Sequence, residues 1–302
     1  MVVIATDAAP SDTTLNLEGR GGRMDWERSR RAVPRFEWLD STGSTNDVVR
    51  EGVTGADAAG WRHGATVVTD DQTHGRGRLG RTWLAPTGKT LAISVLIRQS
   101  ELRGAPLPPD ALGWLPLIAG AAMTEAVRGA LAAASVDRGG EEDGTGGVEA
   151  WLKWPNDVLV SGFKVCGILS ELVADDAVVI GAGLNLTLDE HDLPTLTSTS
   201  LQLATGVRPD ADAVLADYLE RLLGLTADFA DAGGDPVSSG VADRVTALCG
   251  TLGQHVRVEL PGGSELVGHA ERIDPDGRLV VRDDENGDEQ AVAAGDVTHL
   301  RY

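Results

Sequence analysis

From Arg35 onward the chain alternates short apolar segments of strand character with longer helical ones, and after Gly250 the helices stop. That change of texture limits the fold to a few layered arrangements, since a strand must bury a face and a helix a stripe. The strand-like segments are Ala65 to Thr69, Leu91 to Ile97, Trp151 to Val160, Val165 to Val173 and Val178 to Leu186. The helical ones are Thr45 to Ala59, Leu115 to Ala134, Ala211 to Ala230 and Val237 to Leu248. The last part predicts strands at His255 to Leu260, Glu265 to Ile273, Arg278 to Arg282 and Gln290 to Ala293. Turn signals separate them at Pro261-Gly262-Gly263, Pro275-Asp276-Gly277 and Glu285-Asn286-Gly287, which together predict a small all-β barrel or roll. Residues 1–30 are polar, rich in Gly, Asp and Arg and without period, and read as a flexible leader. The partition is therefore a leader at 1–30, a main domain at 31–249 and a β domain at 250–302, with an exposed Gly/Glu/Asp loop from Asp137 to Gly147.

At 302 residues and 42% hydrophobic content the chain can bury a sizeable core. The formal net charge of -20 repels polyanions, so binding to nucleic acid over a broad surface is not expected and an anionic ligand must be met locally. Two cysteines, Cys166 and Cys249, form neither a disulfide framework nor a metal-ligand spacing. No stretch reads as a membrane span or signal peptide, and the expected location is the cytoplasm.

The cations are unevenly chosen: twenty-three arginines against three lysines, Lys89, Lys153 and Lys164. A lysine kept in such a chain suggests a compact, mobile point charge that a planar guanidinium does not supply. His74-Gly75-Arg76-Gly77-Arg78-Leu79-Gly80-Arg81-Thr82-Trp83 sets three arginines among glycines after a predicted strand. Glycines admit a phosphate close to the backbone amides while the arginines neutralise it, so the loop is a focused anion site. Gly88-Lys89-Thr90 is not a nucleotide-binding P-loop, because Trp83 stands where the first glycine is needed. Gly181-Ala182-Gly183 is too short for a dinucleotide fingerprint. In Trp151 to Val160 the polar group Lys153, Asn156 and Asp157 breaks an apolar run beside Pro155, as happens where polar groups face a pocket or satisfy one another.

Four segments together resemble the biotin protein ligases: Ser44-Thr45-Asn46, the loop from Gly75 to Trp83, Lys153 to Asp157 with Lys164 to Ile168, and Gly181 to Asn185. Their order and separation match over roughly residues 36–190, and the closing β domain matches too. The resemblance implies an α+β fold: a catalytic domain of mixed β-sheet flanked by helices, akin to class II aminoacyl-tRNA synthetases, followed by a small SH3-like β-barrel domain. It implies a short form without the N-terminal DNA-binding domain of some members. The implied activity joins biotin to ATP as biotinyl-5'-AMP with release of pyrophosphate, assisted by Mg²⁺. The biotinyl group then passes to a lysine of the biotin carboxyl carrier domain of an acyl-CoA or pyruvate carboxylase. The enzyme is expected to be a monomer or homodimer.

By motif position, Arg76, Arg78 and Lys164 would be catalytic, with Arg76 and Lys164 on the biotin carboxylate and later the α-phosphate. Arg78 and Arg81 would act on phosphates and order the loop, which is expected to be mobile when empty and ordered over the adenylate. Ser44, Thr45 and Gln72 would bind the ureido ring, with Asn46, Gly75 and Gly167 in the same biotin pocket. Trp83 would stack on adenine or cover the valeryl chain, and Asn156 and Asn185 would contact the adenylate. Asp157 would orient Lys153 or help place the metal, whose ligands stay open, and Lys89 receives no role. There are two alternatives: a lipoate or octanoate ligase or transferase of the same fold, and, from another class, a non-catalytic biotin-binding regulatory protein. An apolar acyl ring does not call for Ser44, Thr45 and Gln72 together, and a mere binder has no use for Arg76, Arg78 and Lys164.

Overall fold

The structure, a computed structural model, describes residues 25–83, 86–104, 106–137, 148–260 and 262–300. Its first part contains α1 (Glu27–Ala32), β1 (Phe36–Leu39), α2 (Thr45–Thr54), β2 (Thr66–Thr69), β3 (Gly75–Arg76), β4 (Thr82–Trp83), β5 (Thr90–Arg98) and α3 (Leu115–Asp137). There follow β6 (Ala150–Lys153), β7 (Asp157–Val160), β8 (Phe163–Ala174), β9 (Ala177–Asn185), α4 (Leu201–Thr205), α5 (Ala211–Asp231) and α6 (Val241–Leu248). Seven strands make one sheet in the order β1-β2-β5-β9-β8-β7-β6. Only β1 and β2 run parallel, so the sheet is mixed.

Side chains alternate across a strand, and that period of two divides the sheet's faces. Leu91, Ile93, Val95 and Ile97 of β5 and Val178, Ile180, Ala182 and Leu184 of β9 point to one face, where they meet the apolar sides of α3 and α5 in the main core. On the other face Val67, Leu96 and Val179 pack under Val49 and Val53 of α2 and under Trp61. α2 is short, ending at Thr54 rather than at Ala59 as the sequence suggested, and covers only one end of that face. The other end, where β9 presents Gly181 and Gly183 and β8 presents Gly167 and Leu169, is left open as a cleft.

Three sequence expectations change. The span from Trp151 to Val160 is two strands, β6 and β7, paired antiparallel around a turn at Trp154-Pro155-Asn156. The leader expectation fails from Asp25 onward: Trp26 is buried and stacks on Trp38 at 5.1 Å, and the Ser29 hydroxyl lies 2.6 Å from the Asp212 carboxylate on α5. Residues 1–24 and 138–147 lie outside the described residues. The expectation that no stretch reads as a membrane span changes by length and composition alone, since the helical stretch Pro109–Val136, which includes most of α3, is long and apolar enough; it lies mostly buried inside the protein, as befits a core helix.

The C-terminal strands are β10 (His255–Glu259), β11 (Glu265–Ile273), β12 (Leu279–Asp283), β13 (Glu289–Val292) and β14 (Asp296–His299). They form an antiparallel sheet ordered β13-β12-β11-β10-β14. Where the sequence suggested a closed barrel, β13 and β14 sit at opposite edges and do not pair, so the sheet is open. Two indoles tie this domain to the main one: Trp114 Nε1 donates to Pro275 O at 2.7 Å and Trp154 Nε1 to Gly277 O at 3.1 Å. Both rings are almost wholly buried, where an indole N–H needs a partner.

Candidate active site

The cleft floor is made of backbone. Of the four positions that β9 and β8 turn to the opening, three are Gly181, Gly183 and Gly167, and only Leu169 carries a side chain. A Cβ at Gly181 would meet Asn46 Oδ1 at 2.6 Å, and one at Gly183 would meet the Trp83 ring at 2.5 Å. One at Gly167 would meet Lys164 Nζ at 2.9 Å. The glycines therefore let the side chains of Asn46, Trp83 and Lys164 lie against the sheet.

At one end the lining is uncharged and hydrogen-bonding. α2 opens at Ser44, whose hydroxyl makes no capping bond, while Gln72 Oε1 accepts from the Thr45 amide at 2.8 Å and lies 3.1 Å from Thr45 Oγ1. Ser94 Oγ from β5 sits 2.8 Å from Thr45 Oγ1 and 2.5 Å from Asn46 Oδ1. Two hydroxyl protons thus serve three close pairs, which leaves acceptor capacity for a ligand's N–H groups. Gly75 does not line the cleft; a Cβ there would crowd Gln72 Nε2 at 2.8 Å, so it acts by leaving room for that amide.

The other end is cationic. Arg76 on β3 forks onto Asp47 of α2, Nη1 to Oδ2 at 2.5 Å and Nη2 to Oδ1 at 2.7 Å, with Glu171 of β8 at 3.5 Å. Arg50 bonds both Asp47 and Glu171, and Asn46 Nδ2 donates to Glu171 at 2.6 Å. The bond from Arg76 holds the Asp47 carboxyl below the usual carboxylate range, and the same pair raises Arg76. Arg78 Nη1 donates to Asn156 Oδ1 at 2.8 Å, and burial lowers its guanidinium from the ordinary value. Asn156 is fixed in turn, donating to Ile168 O at 2.8 Å. Lys164 Nζ pairs with Asp157 Oδ1 at 2.6 Å. Asp157 also stands opposite Lys153 in the β6–β7 ladder, and burial lowers the Lys153 ammonium.

Ser44, Thr45, Asn46, Gln72, Arg76, Arg78, Trp83, Asn156, Lys164 and Gly167 are thus brought to one cleft. Arg81, Asp157 and Asn185 are not among its lining: Arg81 pairs with Asp296 of β14, and buried Asn185 donates to Thr199 O at 2.9 Å. Lys89 pairs with Asp189 and Asp192 and thereby ties β5 to the loop after β9. Sequence reasoning missed Asp47, Ser94 and Glu171. Ser94 left a signal, as a lone polar residue in the middle of the apolar run Leu91 to Ile97.

A mixed sheet with a hydroxyl- and amide-lined end and a cationic end in one cleft suits a ligase that activates a carboxylate against a phosphate. Residues 38–185 match the biotin/lipoate A/B protein ligase family, and residues 251–300 match the biotin protein ligase C-terminal domain. The chain is 36% identical over 268 residues to the biotin--[acetyl-CoA-carboxylase] ligase of Mycobacterium tuberculosis, covering 88% of this chain and 90% of that protein. It is 28% identical to the corresponding ligase of Paracoccus denitrificans, over 81% of this chain and 92% of that one. Among solved structures it superposes on the biotin protein ligase of Aquifex aeolicus in complex with biotin and ATP with a TM-score of 0.67, at 25% identity, over 89% of this chain and all of the other. The chain belongs to the biotin protein ligases, which are ATP-dependent ligases.

Proposed function

We propose that the chain activates biotin with MgATP to biotinyl-5'-AMP and pyrophosphate, then transfers the biotinyl group to a lysine of the biotin carboxyl carrier domain of an acyl-CoA or pyruvate carboxylase. The observation that carries this reading is the polarity of the cleft: Ser44, Thr45, Asn46 and Gln72 at one end, Arg76, Arg78 and Lys164 at the other, joined by a glycine floor.

The ureido ring of biotin offers one carbonyl and two N–H groups in a plane, which suits the hydroxyl and amide end. The valeryl chain then runs over the glycines beneath Trp83, bringing the carboxylate to Arg76 and Lys164. A carboxylate oxygen attacks the α-phosphorus of ATP and pyrophosphate departs. Two anions must meet for this, so fixed cations are the main contribution of the protein. Arg76 is held by Asp47 and Glu171, and Lys164 by Asp157, so each must exchange a carboxylate for the ligand's oxygens. In the second step the carrier's lysine amine attacks the acyl carbonyl of the mixed anhydride, and AMP leaves with the bonding pair. Lys164 stabilises the oxyanion formed on the way.

Mg²⁺ enters as part of the nucleotide substrate. Asp47, Glu171 and Asp157, the carboxylates at the cleft, are each engaged by a cationic side chain, a donor set that suits positioning better than a resident divalent ion. Arg78 and Arg81 take the phosphates and close the loop over the adenylate, and Asn156 contacts the adenylate; Asn185 acts from behind by fixing the end of β9. The protein works in the cytoplasm as a monomer or homodimer.

The test is transfer itself. Purified protein incubated with biotin, MgATP and a biotin carboxyl carrier domain should yield an avidin-reactive carrier, and a carrier with its target lysine replaced should yield none. Labelling of both carriers alike would overturn the proposed acceptor chemistry.

A further inference from the structure

The C-terminal sheet carries a second group of ligand-type side chains that the ligase reaction does not use. β10 and β11 run antiparallel with His255 opposite His269, so both imidazoles project from one face. Their ring centroids lie 4.8 Å apart with the planes inclined by 39°. Just beyond β12, the Asp284 amide donates to Val267 O at 3.0 Å, which continues the ladder and sets the Asp284 carboxylate on the same face. Asp284 Oδ2 lies 2.6 Å from His255 Nε2. One ligand atom from each of the three residues falls within 4.8 Å of the others.

The cations around this group are already matched. Arg282 is forked onto Glu271 at 2.5 and 3.0 Å and also reaches Glu289, while Arg257 lies 3.6 Å from Glu265. Both arginines are thus engaged by carboxylates of their own strands or neighbouring ones.

We propose that His255, His269 and Asp284 bind a first-row divalent cation, Zn²⁺ in the first instance, which joins β10, β11 and the end of β12. Two imidazoles and one carboxylate are a donor set such ions accept, with a fourth position left for water. Mg²⁺ prefers oxygen ligands and does not compete for it. Ligand atoms around a tetrahedral zinc ion stand about 3.4 Å apart, given metal–ligand distances of about 2.0–2.1 Å. The widest separation here must close by about 1.4 Å, a movement that the exposed His269 side chain can make by rotation. His255 is the anchored member, with its side chain only 16% exposed and its carbonyl accepting from Leu300 N at 2.8 Å. On binding, the metal takes the place of the proton between His255 Nε2 and Asp284 Oδ2, and that 2.6 Å pair opens by about 0.8 Å as the exposed Asp284 carboxylate turns. The role is structural: the ion fastens three strands of an open sheet that no other covalent or coordinate link holds among the described residues.

The full-length protein, freed of metal by chelator and without nucleotide, is dialysed to equilibrium against buffered Zn²⁺. The expected result is one Zn²⁺ per chain, a raised melting temperature, and with Co²⁺ a visible absorption of tetrahedral type. His269→Gln and Asp284→Asn alter exposed side chains; each should weaken Zn²⁺ binding by about ten-fold or more while circular dichroism and pyrophosphate release without zinc stay at the wild-type level. Absence of stoichiometric binding in the wild type would overturn the proposal, as would binding that neither substitution weakens.

Discussion

Gly183→Ala tests whether the cleft works in the geometry described. β9 is hydrogen-bonded to β5 on one side and β8 on the other, so its backbone cannot retreat. The new methyl would lie 2.5 Å from Trp83 Cε2 and 2.6 Å from Cζ2. Ordinary carbon contacts are about 3.5–4.0 Å, so the indole must withdraw by about 1–1.5 Å. Trp83 ends a two-residue strand and is only partly buried, so the displacement should cost the fold no more than about 1–2 kcal/mol. The same displacement opens the cover over the reacting groups, and misplacement by about 1 Å can lower a rate by about 100-fold. Biotin-dependent pyrophosphate release, measured over a range of biotin and ATP concentrations, should fall by that order in kcat/KM while the melting temperature moves by a few degrees. Gly224→Ala in α5, where an added Cβ meets nothing within 4 Å, should leave the activity unchanged. A Gly183→Ala enzyme within two-fold of wild type would refute the role given to Trp83 and the glycine floor.

Lys164→Ala should lower pyrophosphate release by about 100-fold or more with little loss of stability, because its pair with Asp157 is partly exposed; a rate near wild type would remove Lys164 from the chemistry. Asp47→Asn tests the Arg76 clamp through pH. Arg76 holds the Asp47 carboxyl below its ordinary value near 3.8, so the stability it contributes is present above that value and is lost as pH falls through the lower folded one. Wild type and variant should therefore differ in urea unfolding at neutral pH, by under about 1 kcal/mol given the exposure of both partners, and converge in acid; a difference that grows in acid would contradict the pairing. Burial pushes the Cys166 thiol up to about 12, so a thiol reagent at pH 8 should modify it only after unfolding, and fast labelling of native protein would show that β8 opens.

Much of this arrangement is legible in the amino-acid sequence, for reasons that differ by segment. β5, β8 and β9 are central strands with long apolar runs, and the runs announce them within a few residues. The arginine loop and the Lys153 to Asp157 break are legible because glycine, proline and charge are unusual inside such a sheet. α1 and β1 escape because their anchor is Trp26 on Trp38, an aromatic contact with no period to reveal it. β14 escapes because it is only four residues long, yet it supplies Asp296 to Arg81. Asp47 and Glu171 look like ordinary surface acids; they lie 124 residues apart and become a clamp on Arg76 only when α2 folds over β8. Asn185 occupies a motif position but is turned to Thr199, a direction that sequence alone does not encode.

In the proposed reaction one cleft activates biotin against ATP. The most direct measurement is pyrophosphate release by the purified protein with MgATP and either biotin or lipoate. We expect release that depends on biotin and is absent with lipoate, because the end lined by Ser44, Thr45, Asn46 and Gln72 offers hydrogen-bond partners that a ureido ring can use and an apolar ring cannot. Release with lipoate alone would contradict that assignment, and no release with either acid would leave the cleft a binding site without the chemistry.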